Sequence, residues 1–375
     1  MRSTPHIATK WPSATNYDTT LLFSVLFLVG IGIVMVYSAS SAIALKKYGY
    51  DYYFAIKQSA FAVIGIVILV VCRHIPYRFY RKFNYLLLGL AAVSLIAVKF
   101  SGLGHQAGGA VRWIRIGSLT VQPSEFARFA MVVFLAYSLS KKQEKIHEFA
   151  VGFMPHVIVL GLFAILISLQ PDFGSIVILG ALTWIMMFAG RVRLLHLVTT
   201  MGLLLPLAIG FLINAEYRVK RLMSFLDPWQ YPADDGYQVI HSLMAFGSGG
   251  LTGEGMGKGY QKLFYLPEPH TDFIFSVIGE ELGLIGVLAI LLLYSLILWR
   301  GIRIARQSHD LFGTLLAFGL TVALGLQACI NMGVTLGLLP PKGLTLPFLS
   351  YGGTSLLVSM ASVGILLNIG EESAR

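Results

Sequence analysis

The chain has 375 residues, of which 56% are hydrophobic and 12% are charged, and its formal net charge is +10. A water-soluble globular protein carries about 25% charged residues, so this composition excludes that class and indicates a multi-span membrane protein. The positive charge does not indicate a nucleic-acid partner, because no basic run with interleaved aromatic residues lies on a soluble domain. Anionic lipid and anionic, membrane-borne substrates are the partners that this charge favours.

Ten long apolar runs follow one another along the chain. A spanning helix needs about 20 mostly apolar residues, so these runs predict ten transmembrane helices, at 20–43, 55–72, 84–99, 124–140, 151–170, 173–190, 194–213, 273–299, 311–338 and 347–369. The alternating pattern of an outer-membrane barrel is absent. The predicted fold class is therefore an all-α integral membrane protein. Residues 1–17 carry no cleavage pattern of a removable signal peptide, so the first span is expected to serve as the insertion signal.

Basic residues beside the spans predict the orientation. They follow the even-numbered spans, at Arg73, Arg78, Arg81, Lys82, Lys141, Lys142, Lys145, Arg191, Arg193, Arg300, Arg303 and Arg306. This pattern places the two tails, 1–17 and 371–375, in the cytoplasm on either side of a single membrane domain at 18–370. It places the two longest loops, 100–123 and 214–271, on the extracytoplasmic side. The second loop joins the seventh and eighth spans, and we expect it to fold back onto the helix bundle.

Charged residues gather before the fourth span. As structure, Ser124 fits a helix N-cap, and Glu125 fits an ion pair with Arg128 at i, i+3 spacing. As chemistry, Arg112 and Arg115 have the forked guanidinium groups that bind a phosphate bidentately. The sequence leaves both interpretations open.

Two further polar segments have a structural and a functional interpretation each. Asp172, between the fifth and sixth spans, has the position of a turn or helix-capping residue. Residues 217–229 combine cations with Tyr and Trp and indicate an amphipathic segment at headgroup level. Within it, Arg218 and Arg221 are also candidates for contact with an anion.

A glycine-rich stretch occupies residues 247–259. Glycines let backbone N–H groups approach a phosphate closely, but this stretch lacks the Walker pattern, because Gly259 follows Lys258 and Thr252 stands where the first glycine is required. A flexible re-entrant loop explains the glycines equally well.

The segment 261–272 places ionisable groups directly before the eighth span. Asp272 fits helix capping, where an acid in the first turn is worth about 0.3–1 kcal/mol, but it also fits a general base, a role worth typically about 10²–10⁴-fold in rate. Lys262, Glu268 and His270 are close enough in sequence to shift its pKa. Both interpretations of Asp272 stay open at this point.

Two features of the last three spans predict polar groups or a cavity in the interior of the bundle. Glu281 is an acid within the apolar eighth span, and because such a charge is costly in lipid, it is expected to face the bundle interior. Residues 341–355 interrupt the start of the tenth span with prolines and a glycine pair, and irregular backbone at membrane depth generally lines a cavity. Cys72 and Cys329 lie at or within spans and predict neither a disulfide framework nor a zinc site.

Three motifs together resemble the shape, elongation, division and sporulation (SEDS) family of bacterial membrane proteins. They are the segments 342–353 (KGLTLPFLSYGG), 122–125 (QPSE) and 270–275 (HTDFIF), the last continuing into 279–283 (GEELG). The likeness covers residues 18–368, and the lead-in at 342–345 favours the division branch over the elongation branch. The resemblance implies a peptidoglycan glycosyltransferase that polymerises lipid II outside the cytoplasmic membrane of a bacterium, at the division septum. It also implies a class B penicillin-binding protein as partner, together with other division proteins.

The resemblance assigns the general base to Asp272. The anionic leaving group then needs cations, alone or with a divalent ion such as Mg²⁺ or Mn²⁺ whose ligands the sequence does not identify. The candidates are Lys262, Arg112, Arg115, Arg218 and Arg221. The other candidates for substrate contact are Glu125, Glu268, His270, Glu281, Ser350 and Tyr351.

Three rival hypotheses remain open from the sequence. The first is a flippase that moves lipid II across the bilayer, with Glu281 and the broken start of the tenth span lining its path. The second is a glycosyltransferase of the elongation type. The third is a scaffold without catalytic activity that only recruits division partners.

Overall fold

The computed structural model describes residues 17–100, 104–107, 110–117, 119–213, 219, 223–232, 236–263 and 265–374. Within these ranges the chain is predominantly helical, as the apolar runs predicted. The helices are α1 (Thr19–Tyr48), α2 (Tyr53–His74), α3 (Arg78–Lys82), α4 (Asn84–Phe100), α5 (Pro123–Lys141), α6 (Met154–Ser168), α7 (Phe173–Ala189), α8 (Leu194–Ile213), α9 (Tyr237–Gly249), α10 (Ile274–Gln307), α11 (Leu311–Thr335) and α12 (Gly353–Ala374).

Six helical segments in the described ranges are long and apolar enough to cross a membrane: α1, α2, α6 with the π-helical turn before it, α10, α11 and α12. Helices α4 and α7 and the segment Leu194–Leu203 of α8 are also apolar but shorter. The tenth predicted span begins later than expected, at Gly353 rather than 347, because the stretch before it is irregular. Many apolar side chains of α1, α2 and α4 are exposed, as expected of helices whose outer faces contact lipid rather than water.

A small antiparallel sheet, which was not predicted, covers one end of the bundle. Its strands are β1 (Gly104–Ala107), β2 (Ala110–Ile116) and β3 (Leu119–Val121), in the order β1-β2-β3. Strand β2 carries Arg112 and Arg115, with Ile114 buried between them. The three strands lie in the connection between α4 and α5. They therefore do not interrupt a membrane-spanning helix. The sheet brings Arg112 to the same end of the bundle as the start of α10.

The described residues of the segment between α8 and α10 pack onto the bundle. Its helix α9 packs along α10, where the Ser242 and Ser276 hydroxyls are 2.6 Å apart. Helix α10 is interrupted at Gly283, whose φ of 65° and ψ of −163° are accessible essentially to glycine alone. An interruption of this kind leaves backbone groups without helical partners.

Backbone groups of the glycine-rich stretch supply the missing partners. The N–H groups of Glu254 and Gly255 donate to the carbonyls of Glu280 and Glu281, and the N–H group of Leu284 donates to the carbonyl of Gly250. The carboxylate of Glu280 accepts from the N–H groups at 260 and 261, and that of Glu281 accepts from the N–H group at 257. The phosphate-cradle interpretation is therefore wrong, because these N–H groups bind acids and carbonyls of the chain itself.

Candidate functional site

Asp272 lies just before α10 and does not cap it. The N-cap of α10 is Phe273, which makes no side-chain capping bond, and the first helical residue is Ile274. The capping interpretation of Asp272 is therefore wrong. Its side chain is partly exposed at the end of the bundle that carries the sheet.

The backbone on both sides of Asp272 is fixed by the irregular stretch before α12. Asn331 donates its amide to the carbonyls of Asp272 (2.8 Å) and Leu344 (2.5 Å) and so ties the two segments together. The Ser350 hydroxyl donates to the carbonyl of Thr271 (2.6 Å), and the Tyr351 N–H donates to the carbonyl of His270 (2.9 Å). Ser350 and Tyr351, predicted as substrate contacts, thus hold the backbone that presents the carboxylate.

The environment of Asp272 favours its protonated form. Burial raises the pKa of the Asp272 carboxyl to about 7. The negative charge of Glu268 also raises this pKa, whereas the positive charge of Arg112 lowers it. Glu268 is exposed and has a φ of 49°, which is uncommon for a residue other than glycine. A carboxylate with a pKa near neutral pH can take a proton and release it at physiological pH, as a general base must.

His270 cannot supply positive charge to this site at neutral pH. Its ring is buried between the rings of Phe54 and Tyr351, with centroid distances of 4.5 and 5.7 Å. Burial, together with the charge of Lys47, lowers the pKa of His270 to about 4. The imidazole is therefore neutral, and it acts here as packing beneath the loop that carries Asp272.

One cation acts on Asp272 directly, and a second belongs to the segment that packs against it. Arg112 affects the pKa of the carboxyl, and its guanidinium is held by the carbonyls of Pro171 (2.6 Å) and Gln170 (3.4 Å). Lys342 lies beside Asp172 and is half-buried; burial lowers the pKa of its ammonium group, and Asp172 opposes that shift. The motif at 342–353 contains Lys342, but the sequence did not indicate it as a site residue, although a lysine in a proline-flanked, irregular stretch was an available signal.

Asp172 itself is the helix cap that the sequence predicted. Its carboxylate accepts from the N–H (3.3 Å) and the hydroxyl (2.6 Å) of Ser175 at the start of α7. The capped turn orients the carbonyls of Gln170 and Pro171 that hold Arg112.

Gly343 packs closely against the carboxylate of Asp272. A Cβ at this position would lie 3.1 Å from Asp272 Oδ2. We predict that Gly343→Ala displaces the carboxylate and lowers kcat for glycan polymerisation by about tenfold or more, since small misplacements of a catalytic group cost up to about 10²-fold.

The control for Gly343→Ala is Gly89→Ala, because a Cβ at Gly89 in α4 would meet no atom within 4 Å. Steady-state rates of both variants, with unfolding temperatures to confirm that each is folded, provide the measurement. Equal rates for the two variants would show that the close approach of Gly343 to Asp272 is irrelevant.

The remaining predicted cations lie away from Asp272 or are committed to other partners. Lys262 is buried, and its ammonium group donates to Glu281 Oε1 (2.5 Å) and Ser38 Oγ (2.8 Å). It is therefore not available to a leaving group in this structure, while Glu281 faces the interior as predicted. Arg115 is exposed and donates to the carbonyl of Gly117 (3.2 Å). Arg218 and Arg221 lie outside the described residues.

The predicted pair of Glu125 and Arg128 forms within α5 and is buried. It lines a small cavity between α5, α11 and α12 together with Gln327 and Ser359. The expectation that Ser124 caps α5 was wrong, because the N-cap is Gln122 and Pro123 is the first helical residue. The pair thus belongs to the polar interior of the bundle, and the structure places no contact between it and Asp272.

No group of three or more His, Cys, Asp and Glu side chains in the described part of the chain comes together as a metal site. A magnesium ion bound through substrate phosphates needs only one or two carboxylates from the protein. Asp272 and Glu268, whose negative charge helps to raise the pKa of Asp272, supply that number.

The fold and the site together define a helical, multi-pass membrane protein with a carboxylate and a nearby arginine at one end of its bundle. The chain belongs to the cell cycle protein family of FtsW, RodA and SpoVE, whose sequence model matches residues 19–375.

Relatives of this chain carry related descriptions. It is 44% identical to a probable peptidoglycan glycosyltransferase FtsW of Geobacter metallireducens, over 94% of each chain. It is 42% identical to stage V sporulation protein E of Bacillus subtilis, over 96% of this chain and 98% of that protein.

Solved structures extend the likeness to the fold. A chain from a structure described as "Structural coordination of polymerization and crosslinking by a peptidoglycan synthase complex" matches with a TM-score of 0.79 and 26% identity, over 97% of this chain and 99% of that chain. RodA of Thermus thermophilus matches with a TM-score of 0.69 and 27% identity, over 97% and 100% of the two chains.

Proposed function

We propose that this protein is a peptidoglycan glycosyltransferase that polymerises lipid II into glycan strands for septal cell-wall synthesis, with Asp272 as general base. One observation carries the assignment: the Asp272 carboxyl has a pKa of about 7 and lies near Arg112. A neutral-range base beside cations suits the displacement of an anionic leaving group by a sugar hydroxyl.

In the proposed step, the ionised Asp272 takes the proton from the acceptor sugar hydroxyl. The oxygen of that hydroxyl forms a bond to the anomeric carbon of the donor sugar. The bond from that carbon to the pyrophosphate oxygen breaks, and its electron pair leaves with the undecaprenyl pyrophosphate. Attack in line with the leaving group inverts the anomeric carbon. Arg112 and Lys342 are the cations that stabilise the negative charge developing on the leaving group.

The proposed topology follows the basic residues beside the helices. Ten spans at 18–370 form one domain, both tails lie in the cytoplasm, and Asp272 lies on the extracytoplasmic side of the bacterial inner membrane. Lipid II delivers its sugar headgroup to that side on a lipid anchor, so the substrate and the base meet at headgroup level. A class B penicillin-binding protein that crosslinks the strands is the proposed partner, and the matched complex described as coordinating polymerisation with crosslinking supports this.

The structure gives less support to a flippase. Such a protein needs polar groups along a path through the midplane, but Glu281, the acid expected to line this path, is paired with Lys262 and its side chain has no exposed surface. The elongation-type alternative is less favoured, since the identity to RodA is 27% and that to the FtsW relative is 44%.

The test uses the purified full-length chain in liposomes with fluorescently labelled lipid II, with and without the class B penicillin-binding protein from the same genome. We expect glycan polymer to form, and to be lost in Asp272→Asn. Label that crosses the bilayer without polymer would support a flippase. Neither polymer nor translocation in the presence of the partner would support a scaffold.

A further inference from the structure

Glycan polymerisation brings two lipid-linked pyrophosphates to a single base. The donor loses its pyrophosphate as the leaving group, whereas the acceptor contributes only a sugar hydroxyl and keeps its own. Two pyrophosphates in the same place would repel each other, so a polymerase needs a second cationic site for the acceptor. Arg112 and Lys342, the cations proposed above for the leaving group, both lie by the turn at 170–172.

A second pair of cations, Lys46 and Lys47, lies beside the loop that leads to Asp272. A groove of about 500 Å³ opens between the last turns of α1 and the loop that leads to Asp272. Its lining residues, which we call the lysine groove, are Ile43, Lys46, Lys47, Leu266, Pro267 and Glu268. This volume is within the range of about 300–1,000 Å³ that is usual for small-molecule sites. Lys46 and Lys47 are both exposed.

The lysine groove is close to the proposed base. Glu268 lines the groove, and its negative charge raises the pKa of Asp272, four residues further along the chain. The positive charge of Lys47 lowers the pKa of His270 in the same loop. A substrate bound in the groove would therefore have its headgroup beside Asp272, while Arg112 approaches Asp272 from strand β2.

The depth of the groove suits a lipid phosphate. Helix α1 ends at Tyr48, and the turn that follows carries a cluster of tyrosines in ring contact: Tyr48, Tyr50, Tyr52 and Tyr53. Tyrosines of this kind mark the headgroup level of a membrane. Lys46 and Lys47 lie in the last turn of the same helix, so we expect their ammonium groups at the level of the lipid phosphates.

The two lysines have an ordinary explanation as well, because cations in the last turn of a helix complement its dipole. Lys99, in the last turn of α4, has that same position but does not line the groove. A substitution of Lys99 therefore shows the effect of losing a cation at a helix terminus without any change in the groove.

We propose that the lysine groove binds the pyrophosphate of the acceptor lipid during polymerisation, with Lys46 and Lys47 as its cations. This inference rests on the proposed function. It assigns the two substrates to different cations around Asp272: the donor pyrophosphate to Arg112 and Lys342, and the acceptor pyrophosphate to the lysine groove.

The test measures KM separately for the two substrates in nanodiscs that hold the full chain and its penicillin-binding protein. Lipid II serves as acceptor, and a preformed lipid-linked glycan that cannot act as acceptor serves as donor. In Lys46→Gln/Lys47→Gln we expect KM for lipid II to rise about tenfold, as the loss of charge-assisted hydrogen bonds implies. We expect KM for the donor and kcat to stay within twofold, since a uniform binding contact changes KM alone.

Two matched variants complete the experiment. Lys46→Arg/Lys47→Arg keeps the charge and is expected to restore KM for lipid II, and Lys99→Gln is expected to leave both KM values unchanged. If wild-type protein polymerises lipid II but the double Gln variant leaves its KM unchanged, or raises the donor KM instead, the groove assignment is wrong and the proposed function stands. Failure of the wild-type protein to polymerise would instead contradict the proposed function.

Anionic membrane lipid has the same phosphate chemistry as the acceptor. The measurement is therefore repeated in nanodiscs of phosphatidylcholine alone and of phosphatidylcholine with phosphatidylglycerol. An acceptor site predicts the same rise of KM for lipid II in both. A rise that is seen only with phosphatidylglycerol would mean that the lysines bind bulk lipid, and would overturn the proposal.

Discussion

Asp272→Asn is expected to lower kcat for lipid II polymerisation by about 10²–10⁴-fold, the contribution that a positioned general base makes. The amide has nearly the same shape but cannot accept the proton of the acceptor hydroxyl. Asp227→Asn is the matched control, because Asp227 is an exposed carboxylate of the long loop that bonds only Gln230 (2.8 Å) among the contacts described. That variant is expected to keep the wild-type rate.

The stability of Asp272→Asn separates loss of chemistry from loss of fold. Since the folded-state pKa of Asp272 is about 7 and the ordinary value is 3.8, the folded protein binds more protons than the unfolded chain between these two pH values. Stability therefore falls as pH rises through this window. The neutral amide avoids this cost, so Asp272→Asn is expected to unfold at pH 8 no earlier than wild type. A folded variant that still polymerises near the wild-type rate would contradict the assignment of Asp272.

Lys262→Met is expected to destabilise the protein by about 3–5 kcal/mol, the cost of leaving a buried charge without its partner. The side chains of Lys262 and Glu281 are 5% and 0% exposed, and their charged atoms are 2.5 Å apart. The ion pair also links the loop to α1 through Ser38, which bonds both groups. Loss of Lys262 therefore loosens the contacts that cover the interruption of α10 at Gly283.

Two variants make this prediction specific to the ion pair. Lys258→Met removes an exposed lysine from the same loop and is expected to change stability by no more than about 0.5 kcal/mol. Lys262→Met/Glu281→Gln removes both charges and is expected to recover most of the loss. Unfolding in mixed micelles followed by tryptophan fluorescence provides the measurement. If Lys262→Met unfolds like Lys258→Met, the buried pair does not have the proposed role.

The helices could be predicted from the sequence because a bilayer imposes the same physical constraint on every span. An apolar run in a bilayer must satisfy its own backbone hydrogen bonds, so runs such as 20–43 and 311–338 indicated α1 and α11 without knowledge of the packing. The sheet at 104–121 was missed because its strands are short and lie outside any long apolar run. Its formation depends on pairing between residues such as Arg115 and Thr120.

The site was predicted only in part. The residue type of Asp272 left helix capping and general base both open, and the resemblance to the SEDS family selected it as the base. Lys262 is only ten residues from Asp272 in sequence, but its partner Glu281 was not identifiable before the loop was seen to fold over α10. Lys342 is 70 residues away in sequence, and only its neighbour Gly343, packed against Asp272, shows that it belongs to the site.

The pH dependence of kcat/KM tests the role of Asp272 most directly. The proposed mechanism needs the ionised carboxylate, so log kcat/KM should rise by one unit per pH unit below about 7 and level off above it, since that is the pKa of Asp272. In Glu268→Gln the midpoint should move to lower pH, because the negative charge that helps to raise this pKa is removed. A rate that stays constant from pH 5.5 to 8.5, or a midpoint that Glu268→Gln leaves unchanged, would contradict the account.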